Sequence, residues 1–288
     1  MKAFIIFTII FLANYPALAG ADAMKKAAAL SLDTRQPRQG DCFVVHLREV
    51  SEAAKPEVTW GDKKLPMFWG KAGWHIILPV WMETAPGPQP LSVSWMDAEG
   101  QAQSAKTTIT IKPRAFGKQY LRLAAKQEAL YTYPGVAREY KLIRGALARL
   151  TPAAAWTGKF IIPVAGRQST AFGLTRYRNG EKQSQHKGKD YSAKSGAPVK
   201  AANSGVVALT AEDFKMHGKT VVIDHGQGVC TLYLHLSKIL VKPGQVVKKG
   251  APIALVGATG VATGPHLHYA LYVAGIAVDP AWWESQAR

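Results

Sequence analysis

The sequence predicts a mainly β protein with two β-domains joined by a short helical connector. Short apolar runs, separated by glycine and proline turns, extend from about residue 39 to residue 113 and again from residue 156 to the end. Between them, residues 114 to 155 show a helix-like spacing of apolar and basic residues. The chain has 288 residues, more than one average domain, so two domains are expected.

The first nineteen residues have the pattern of a secretory signal peptide. Lys2 precedes an apolar run from Ala3 to about Tyr15, and Ala17-Leu18-Ala19 supplies small residues for cleavage before Gly20. No later stretch is long and apolar enough to span a bilayer. We therefore expect an exported chain without a stable membrane span after cleavage, located in the periplasm or cell envelope, or secreted.

Residues 20 to 113 are expected to form a small immunoglobulin-like β-sandwich. The β-like runs in this part are Phe43 to Leu47, His75 to Val80, Leu91 to Trp95 and Thr107 to Ile111. The disulfide of antibody domains cannot form, because Cys42 is the only cysteine here, and we expect both Cys42 and Cys230 to be free, buried thiols. His46 and His75 lack metal-ligand spacing and are interpreted as structural.

Five tryptophans lie within this domain. They could form a sugar-binding platform, but we favour most of them as core residues of a small domain that has little else to bury. They are Trp60, Trp69, Trp74, Trp81 and Trp95.

Residues 114 to 155 are predicted to form a basic helical connector. Between Lys118 and Arg149 there are seven Lys and Arg against two Glu. A solvated helical linker is favoured over a surface that docks on an anionic partner.

The net charge of +17 indicates anionic surroundings. Nucleic acid is disfavoured as the partner, because the chain shows no zinc-finger, RRM-like or helix-turn-helix pattern and is expected to be exported. The cell envelope offers other polyanions, including the carboxylate-rich stem peptides of peptidoglycan and anionic lipid headgroups. Dispersed charge that serves solubility is the remaining alternative.

The chemistry-bearing residues lie between residues 186 and 268. His266 and His268 would project from the same face of a strand, because alternate side chains of a strand point the same way. A catalytic zinc ion needs about three protein ligands and an open position, so His186 and Asp190 are expected to complete the site. His235 lies on another β-like run, which leaves two histidines beyond the ligand set as proton carriers. The residues alone leave open which histidine of the 266/268 pair binds the metal.

The ordered motifs resemble those of the M23 (lysostaphin-type, LytM-like) zinc endopeptidases, over roughly residues 156 to 288. The motifs are His186-x-x-x-Asp190, Tyr233-x-His235-Leu236 and His266-x-His268, with similar blocks around them at Phe172-Gly173, Gly196 to Val199, Gly205 to Val207, Val222 to Gly226, Gly244 to Gly250 and Gly257 to Gly260. The resemblance implies an antiparallel β peptidase domain. It also implies one zinc ion per chain, held by His186, Asp190 and His268, with His235 and His266 as the catalytic pair.

One position departs from the family pattern. The family often has Phe-Glu after the last histidine, where this chain has Tyr269-Ala270. That glutamate is not a zinc ligand in the family, so the change concerns substrate contacts. Arg176, Lys187 and Lys189 are further candidates for substrate contact, against the plainer interpretation that they are solvated.

The function implied is hydrolysis of peptide cross-links or bridges in bacterial peptidoglycan. The alternative is a non-catalytic M23-like module that binds the wall or activates another wall hydrolase. A cupin-type metal enzyme is disfavoured, because it would normally have a glutamate a few residues after its HxH pair. The N-terminal domain is expected to target the wall or to cover the zinc cleft as an autoinhibitor.

Overall fold

The computed structural model describes residues 28–285. The predicted signal peptide, residues 1–19, lies outside this range. The chain divides into two compact units, Met1–Pro113 and Arg114–Arg288. No helix among the described residues is long and apolar enough to cross a membrane.

The first unit contains two four-stranded antiparallel sheets. Its strands are β1 (Ala29–Leu32), β2 (Cys42–Arg48), β3 (Glu57–Trp60), β4 (Lys63–Pro66), β5 (Phe68–Gly70), β6 (Gly73–Pro79), β7 (Gly87–Met96) and β8 (Ala102–Ile111). One sheet has the order β1-β2-β6-β5 and the other β4-β3-β7-β8. Phe43 of the first sheet and Trp60 of the second meet edge to face at 5.1 Å, so the two sheets share a core. The immunoglobulin-like assignment stays a prediction.

The tryptophans of this unit differ in burial. Trp74 is fully buried, whereas Trp69 is 42% exposed. The other three are half-buried, so Trp74 is the one fully buried tryptophan of the five, while Trp60 adds its edge-to-face contact with Phe43 to the core. Cys42 is buried here, and Cys230 is buried in the second unit.

The second unit is built on a large antiparallel sheet. Its strands are β9 (Lys118–Leu121), β10 (Arg167–Thr170), β11 (Thr175–Arg178), β12 (Glu181–Gln185), β13 (Lys189–Ser192), β14 (Pro198–Lys200), β15 (Gly205–Ala211), β16 (Lys219–Gly226), β17 (Val229–Ile239), β18 (Val246–Val247), β19 (Pro252–Val256), β20 (His266–Val273) and β21 (Ile276–Val278). The central order is β10-β13-β20-β17-β16-β15-β18. β19 pairs with β17 and β14, and β21 with β20. The mainly β fold with antiparallel sheets is as predicted.

The helices of this unit are short. They are α1 (Ala125–Glu128), α2 (Val136–Leu147) and α3 (Pro280–Ser285). α2 buries Glu139, Ile143, Ala146 and Leu147, whose spacing of three to four residues defines one face of a helix. That face packs against β15, β16 and β17. A charged residue on the buried face is unusual, because an unpaired buried charge is costly.

The segment predicted as a helical connector, residues 114 to 155, differs from that prediction. It clusters with the second unit. Its first part is a strand, β9, which runs parallel to β11 in a separate sheet of order β12-β11-β9. The open edge of β11 offers backbone hydrogen bonds that outweigh the weak helical preference of residues 118 to 121.

Candidate metal centre

Strand pairing in the second unit brings Asp190 and His268 together. Asp190 on β13 lies directly opposite His268 on β20. Directly opposite residues on antiparallel strands have their Cβ atoms about 5 Å apart, so their side chains can meet on one face. Nδ1 of His268 lies 2.8 Å from Oδ1 of Asp190.

His186 reaches the same point from the loop between β12 and β13. Its Nε2 lies 3.0 Å from Oδ1 of Asp190 and 3.0 Å from Nδ1 of His268. His186 precedes β13, so it does not share a strand with Asp190. Gly188 allows this loop to lie close against β20, since a Cβ atom at this position would lie 2.4 Å from the carbonyl oxygen of Tyr269.

The donor set fits a zinc ion. Nδ1 of His186 lies 2.8 Å from the carbonyl oxygen of Ala171, which can only accept, so Nδ1 carries the proton. In the neutral imidazole, Nε2 then presents a lone pair to the Asp190 carboxylate. Two acceptors at 3.0 Å repel each other unless a proton or cation lies between them. His186, Asp190 and His268 form the only cluster of three or more metal-ligating side chains found within residues 28–285, and two imidazoles with one carboxylate suit zinc.

Electrostatics keep these groups in their metal-binding forms. Burial lowers the pKa of His268 to about 4, so its imidazole is neutral at physiological pH. Burial alone would raise the pKa of Asp190, but hydrogen bonding with His186 and His268 outweighs it and holds the pKa well below its usual range. The carboxylate is therefore ionised.

Arg176 supports Asp190 from β11. Its Nη2 lies 3.4 Å from Oδ2 of Asp190, and its Nε donates to Oε1 of Gln119 at 2.9 Å. Gln119 belongs to β9, so the strand outside the predicted catalytic region helps to hold the arginine. The structure gives Arg176 a supporting role toward the ligand, which differs from the substrate contact considered from the sequence.

His235 and His266 lie side by side next to this cluster. Their ring centroids are 4.8 Å apart, and the ring of His235 is 6.3 Å from that of His268. Nδ1 of His235 donates to the carbonyl oxygen of Thr259 at 2.9 Å, and Nδ1 of His266 donates to that of Gly264 at 2.8 Å. In each neutral ring the Nε2 atom is then the lone-pair nitrogen.

The backbone of His235 is strained. The register of β16 with β17 shifts between the pairs Lys219–Leu236 and Val221–Tyr233, so β17 carries an extra residue at this point. His235 has φ +63°, which costs a non-glycine residue about 1 kcal/mol. The bulge turns this side chain toward His266.

Of this pair, His235 is not electrostatically equivalent to a free imidazole. Burial, aided by His266 and His268, lowers the pKa of His235 to about 3. His235 is therefore neutral at physiological pH, and it acts through an unprotonated Nε2.

The flanking lysines differ from each other. Lys189 is 7% exposed and forms an ion pair with Glu284 at 2.7 Å. It is therefore unsuited to attracting a substrate carboxylate, as had been considered from the sequence. Lys187 is exposed.

Two supporting residues were missed by the sequence analysis. Thr259, whose carbonyl oxygen accepts from His235, lies in the Gly257 to Gly260 block. Glu139, on the buried face of α2, is 0% exposed. A signal for Glu139 did exist, because it shares the helical spacing of Ile143 and Ala146.

Comparison with known proteins places a family match in the second unit. Residues 184–280 match the model of peptidase family M23. An uncharacterized metalloprotease of Haemophilus influenzae is 50% identical over 95 residues, which are 33% of this chain and 20% of that protein. The peptidoglycan DD-endopeptidase ShyA of Vibrio cholerae is 50% identical over 94 residues, 33% of this chain and 22% of that protein. The matched segment thus spans about a fifth of these relatives.

A solved structure extends the likeness to most of the chain. It is a Pseudomonas aeruginosa protein assigned to peptidase M23, with 29% identity and a TM-score of 0.63, covering 88% of this chain and 96% of that one. The residues matched by the family model include all five site residues described above. The second unit, which carries these side chains, therefore contains a peptidase family M23 domain.

Proposed function

We propose that the protein is an exported, zinc-dependent endopeptidase that hydrolyses peptide cross-links or bridges of bacterial peptidoglycan. The observation that carries this proposal is the convergence of five side chains. Three of them, His186, Asp190 and His268, present ligand atoms 2.8 to 3.0 Å apart, and the other two, His235 and His266, form a pair beside them.

Zinc would be held by Nε2 of His186, Oδ1 of Asp190 and Nδ1 of His268. When bound, zinc makes water nucleophilic near neutral pH and acts as a Lewis acid toward a carbonyl group. The hydrogen bond from His186 to the carbonyl oxygen of Ala171 fixes the tautomer that a ligand needs. Arg176 neutralises the other carboxylate oxygen of Asp190.

His235 and His266 supply proton transfer. Each has Nδ1 engaged with a backbone carbonyl, so each Nε2 can accept a proton. Hydrolysis of a peptide bond needs a proton taken from the attacking water and one returned to the leaving amine. The pair performs both transfers and supports the negative charge that develops on the carbonyl oxygen.

The choice of peptidoglycan follows from chemistry and likeness together. The Vibrio cholerae relative is named a peptidoglycan DD-endopeptidase, which supports a peptide of the wall as substrate. The net charge of +17 suits the carboxylates of stem peptides. Export rests on the N-terminal sequence pattern.

Two measurements on the same preparation test the proposal. Purified protein should contain one zinc ion per chain and should release soluble fragments from purified sacculi. The His266→Ala variant should keep the zinc and release almost nothing. Zinc without any release by the wild-type protein would favour the non-catalytic module instead.

A further inference from the structure

Glu139 is a buried carboxylate that accepts five hydrogen bonds. Its Oε1 accepts from the hydroxyl of Tyr133 and from the backbone N–H groups of Lys215 and Met216. Its Oε2 accepts from the backbone N–H of His217 at 3.1 Å and from Nδ1 of His217 at 2.7 Å. The side chain is 0% exposed, so these bonds replace the water that a carboxylate otherwise requires.

Glu139 binds the loop formed by residues 215–217. Carbonyl groups of this loop accept hydrogen bonds from His235 and from Val261. The carbonyl oxygen of His217 accepts from the backbone N–H of His235 at 3.3 Å. The carbonyl oxygen of Met216 accepts from the N–H of Val261 at 2.9 Å. The three N–H groups of this loop thus point toward Glu139. Two of its carbonyl groups point the other way, toward the backbone of Val261 and His235.

Gly218 and Lys219, which follow this loop, hold Thr259 in place. The N–H of Lys219 donates to the hydroxyl of Thr259 at 3.0 Å. A Cβ atom on Gly218 would lie 2.4 Å from that hydroxyl oxygen, so the two segments are in close contact. Since the carbonyl oxygen of Thr259 accepts from Nδ1 of His235, residues 216–219 contact both the backbone of His235 and the residue that orients its imidazole.

We propose that Glu139 is a positioning residue for His235, acting through the 215–217 loop. The inference deepens the proposed function and rests on it for the kinetic part. Glu139 touches neither substrate nor metal ligands. It fixes the loop whose carbonyls and contacts hold His235 at its strained φ of +63° and in the tautomer with Nδ1 protonated.

Glutamine is the sharpest replacement at this position. It has nearly the same volume, but its amide nitrogen is a donor and would face donors that now meet an oxygen. At least one backbone N–H group would lose its acceptor, and the loop would shift away. Misplacement of a catalytic group by about 1 Å can lower turnover by about a hundredfold.

The kinetic test uses the full chain and a soluble stem-peptide dimer as substrate. Glu139→Gln should retain stoichiometric zinc and lower kcat by about tenfold to a hundredfold, with KM changed less than about twofold. In a His235→Ala background, Glu139→Gln should lower kcat by less than about twofold, because the imidazole that Glu139 positions is already absent. An equal loss in both backgrounds, or wild-type kcat in Glu139→Gln, would overturn the proposal.

A second readout does not depend on activity. Long-range ¹H–¹⁵N spectra of the wild-type protein should show His235 protonated at Nδ1, and Glu139→Gln should mix the two tautomers. If wild-type protein proves inactive on every wall peptide, the proposed function fails while this comparison still decides the role of Glu139. An unchanged tautomer would contradict that role.

Matched variants separate positioning from stability. Ile143→Ala, one turn further along the same buried face, should lower Tm but leave kcat at 25 °C within about twofold of wild type. If Glu139→Gln does not fold, Tyr133→Phe carries the test, since it removes one of the five donors and should reduce kcat several-fold. Wild-type kcat and an unmixed tautomer in Tyr133→Phe would then overturn the proposal.

Discussion

Asp190 and His268 occupy directly opposed positions on β13 and β20, and Oδ1 of the first lies 2.8 Å from Nδ1 of the second. The backbone ladder between two central strands therefore fixes their separation before any metal binds. His186 comes from a loop and completes the set. Preorganisation of this kind implies that the scaffold does not depend on the metal for its fold.

The first prediction concerns zinc binding. His268→Ala should leave the β-scaffold folded and abolish stoichiometric zinc, because a remnant of two ligands binds far more weakly. Zinc content by atomic emission and far-UV circular dichroism are the measurements. His75→Ala, which changes a histidine of the first unit, is the control and should keep its zinc. Full zinc in His268→Ala would exclude His268 as a ligand.

The second prediction concerns proton transfer. His235→Ala and His266→Ala should each keep zinc but lower turnover by roughly a hundredfold or more, the usual scale for the loss of a general acid or base. Turnover on a soluble wall peptide and zinc content are measured on the same samples. Loss of zinc in His266→Ala would mean that the roles of His266 and His268 are exchanged.

The third prediction concerns the arginine beside the ligand carboxylate. Arg176→Ala should weaken zinc affinity by about tenfold or more, because Oδ2 of Asp190 loses its cation. Competition with a chelator measures the affinity. Arg178→Ala is the matched control, since Arg178 lies two residues further along β11 and pairs with Glu128. Equal zinc affinity of the two variants would contradict the role given to Arg176.

The fourth prediction concerns where the catalytic unit begins. A chain starting at Arg114 should fold and bind zinc, whereas one starting at Trp156 should show a much lower Tm or be insoluble. The shorter chain lacks β9, which pairs with β11, and α2, which covers β15, β16 and β17. Equal Tm values for the two chains would refute this boundary.

The longer of these chains also tests the role of the N-terminal unit. Compared with the full chain, faster cleavage of a small soluble peptide would support autoinhibition. Slower hydrolysis of sacculi, with unchanged cleavage of the small peptide, would support wall targeting.

The fifth prediction is a pH dependence of stability. Burial alone would raise the pKa of Glu139, but hydrogen bonds from Tyr133 and His217 outweigh it and hold the pKa below the usual 4.5. A depressed folded-state pKa contributes stability above 4.5 that is lost as the pH falls through the folded value. His217 also faces this carboxylate, and burial lowers its pKa.

Thermal unfolding at several pH values measures this effect. The Tm advantage of wild type over Glu139→Gln should be largest near about pH 6 and should shrink toward about pH 3. Ile143→Ala, which changes no titratable group, should give a Tm difference that does not vary with pH. A constant difference for Glu139→Gln as well would contradict the prediction.

The clustering of His186, Asp190 and His268 could be predicted from sequence, because local spacing and the order of motifs along the chain indicate it. The alternation of His266 and His268 on a strand is a local property of the backbone. The position of His235 is different, because it depends on a bulge and a positive φ that no residue preference at 235 indicates.

Two other features depend on tertiary structure. Residues 118 to 121 form a strand because β11 has an open edge, which their own sequence does not reveal. The helical spacing of Glu139 places it on the apolar face of α2, but the burial of its charge makes sense only with the 215–217 loop in place.

The attachment of that loop to α2 limits how this protein can be recombined with its relatives. A chimera that transplants only residues 184–280, the segment shared with the family, would receive the 215–217 loop without the carboxylate that binds it. The graft would contain all five residues of the candidate site, and it would still leave three backbone N–H groups near His235 without their acceptor. Exchange of α2 together with the segment keeps donor and acceptor from the same parent.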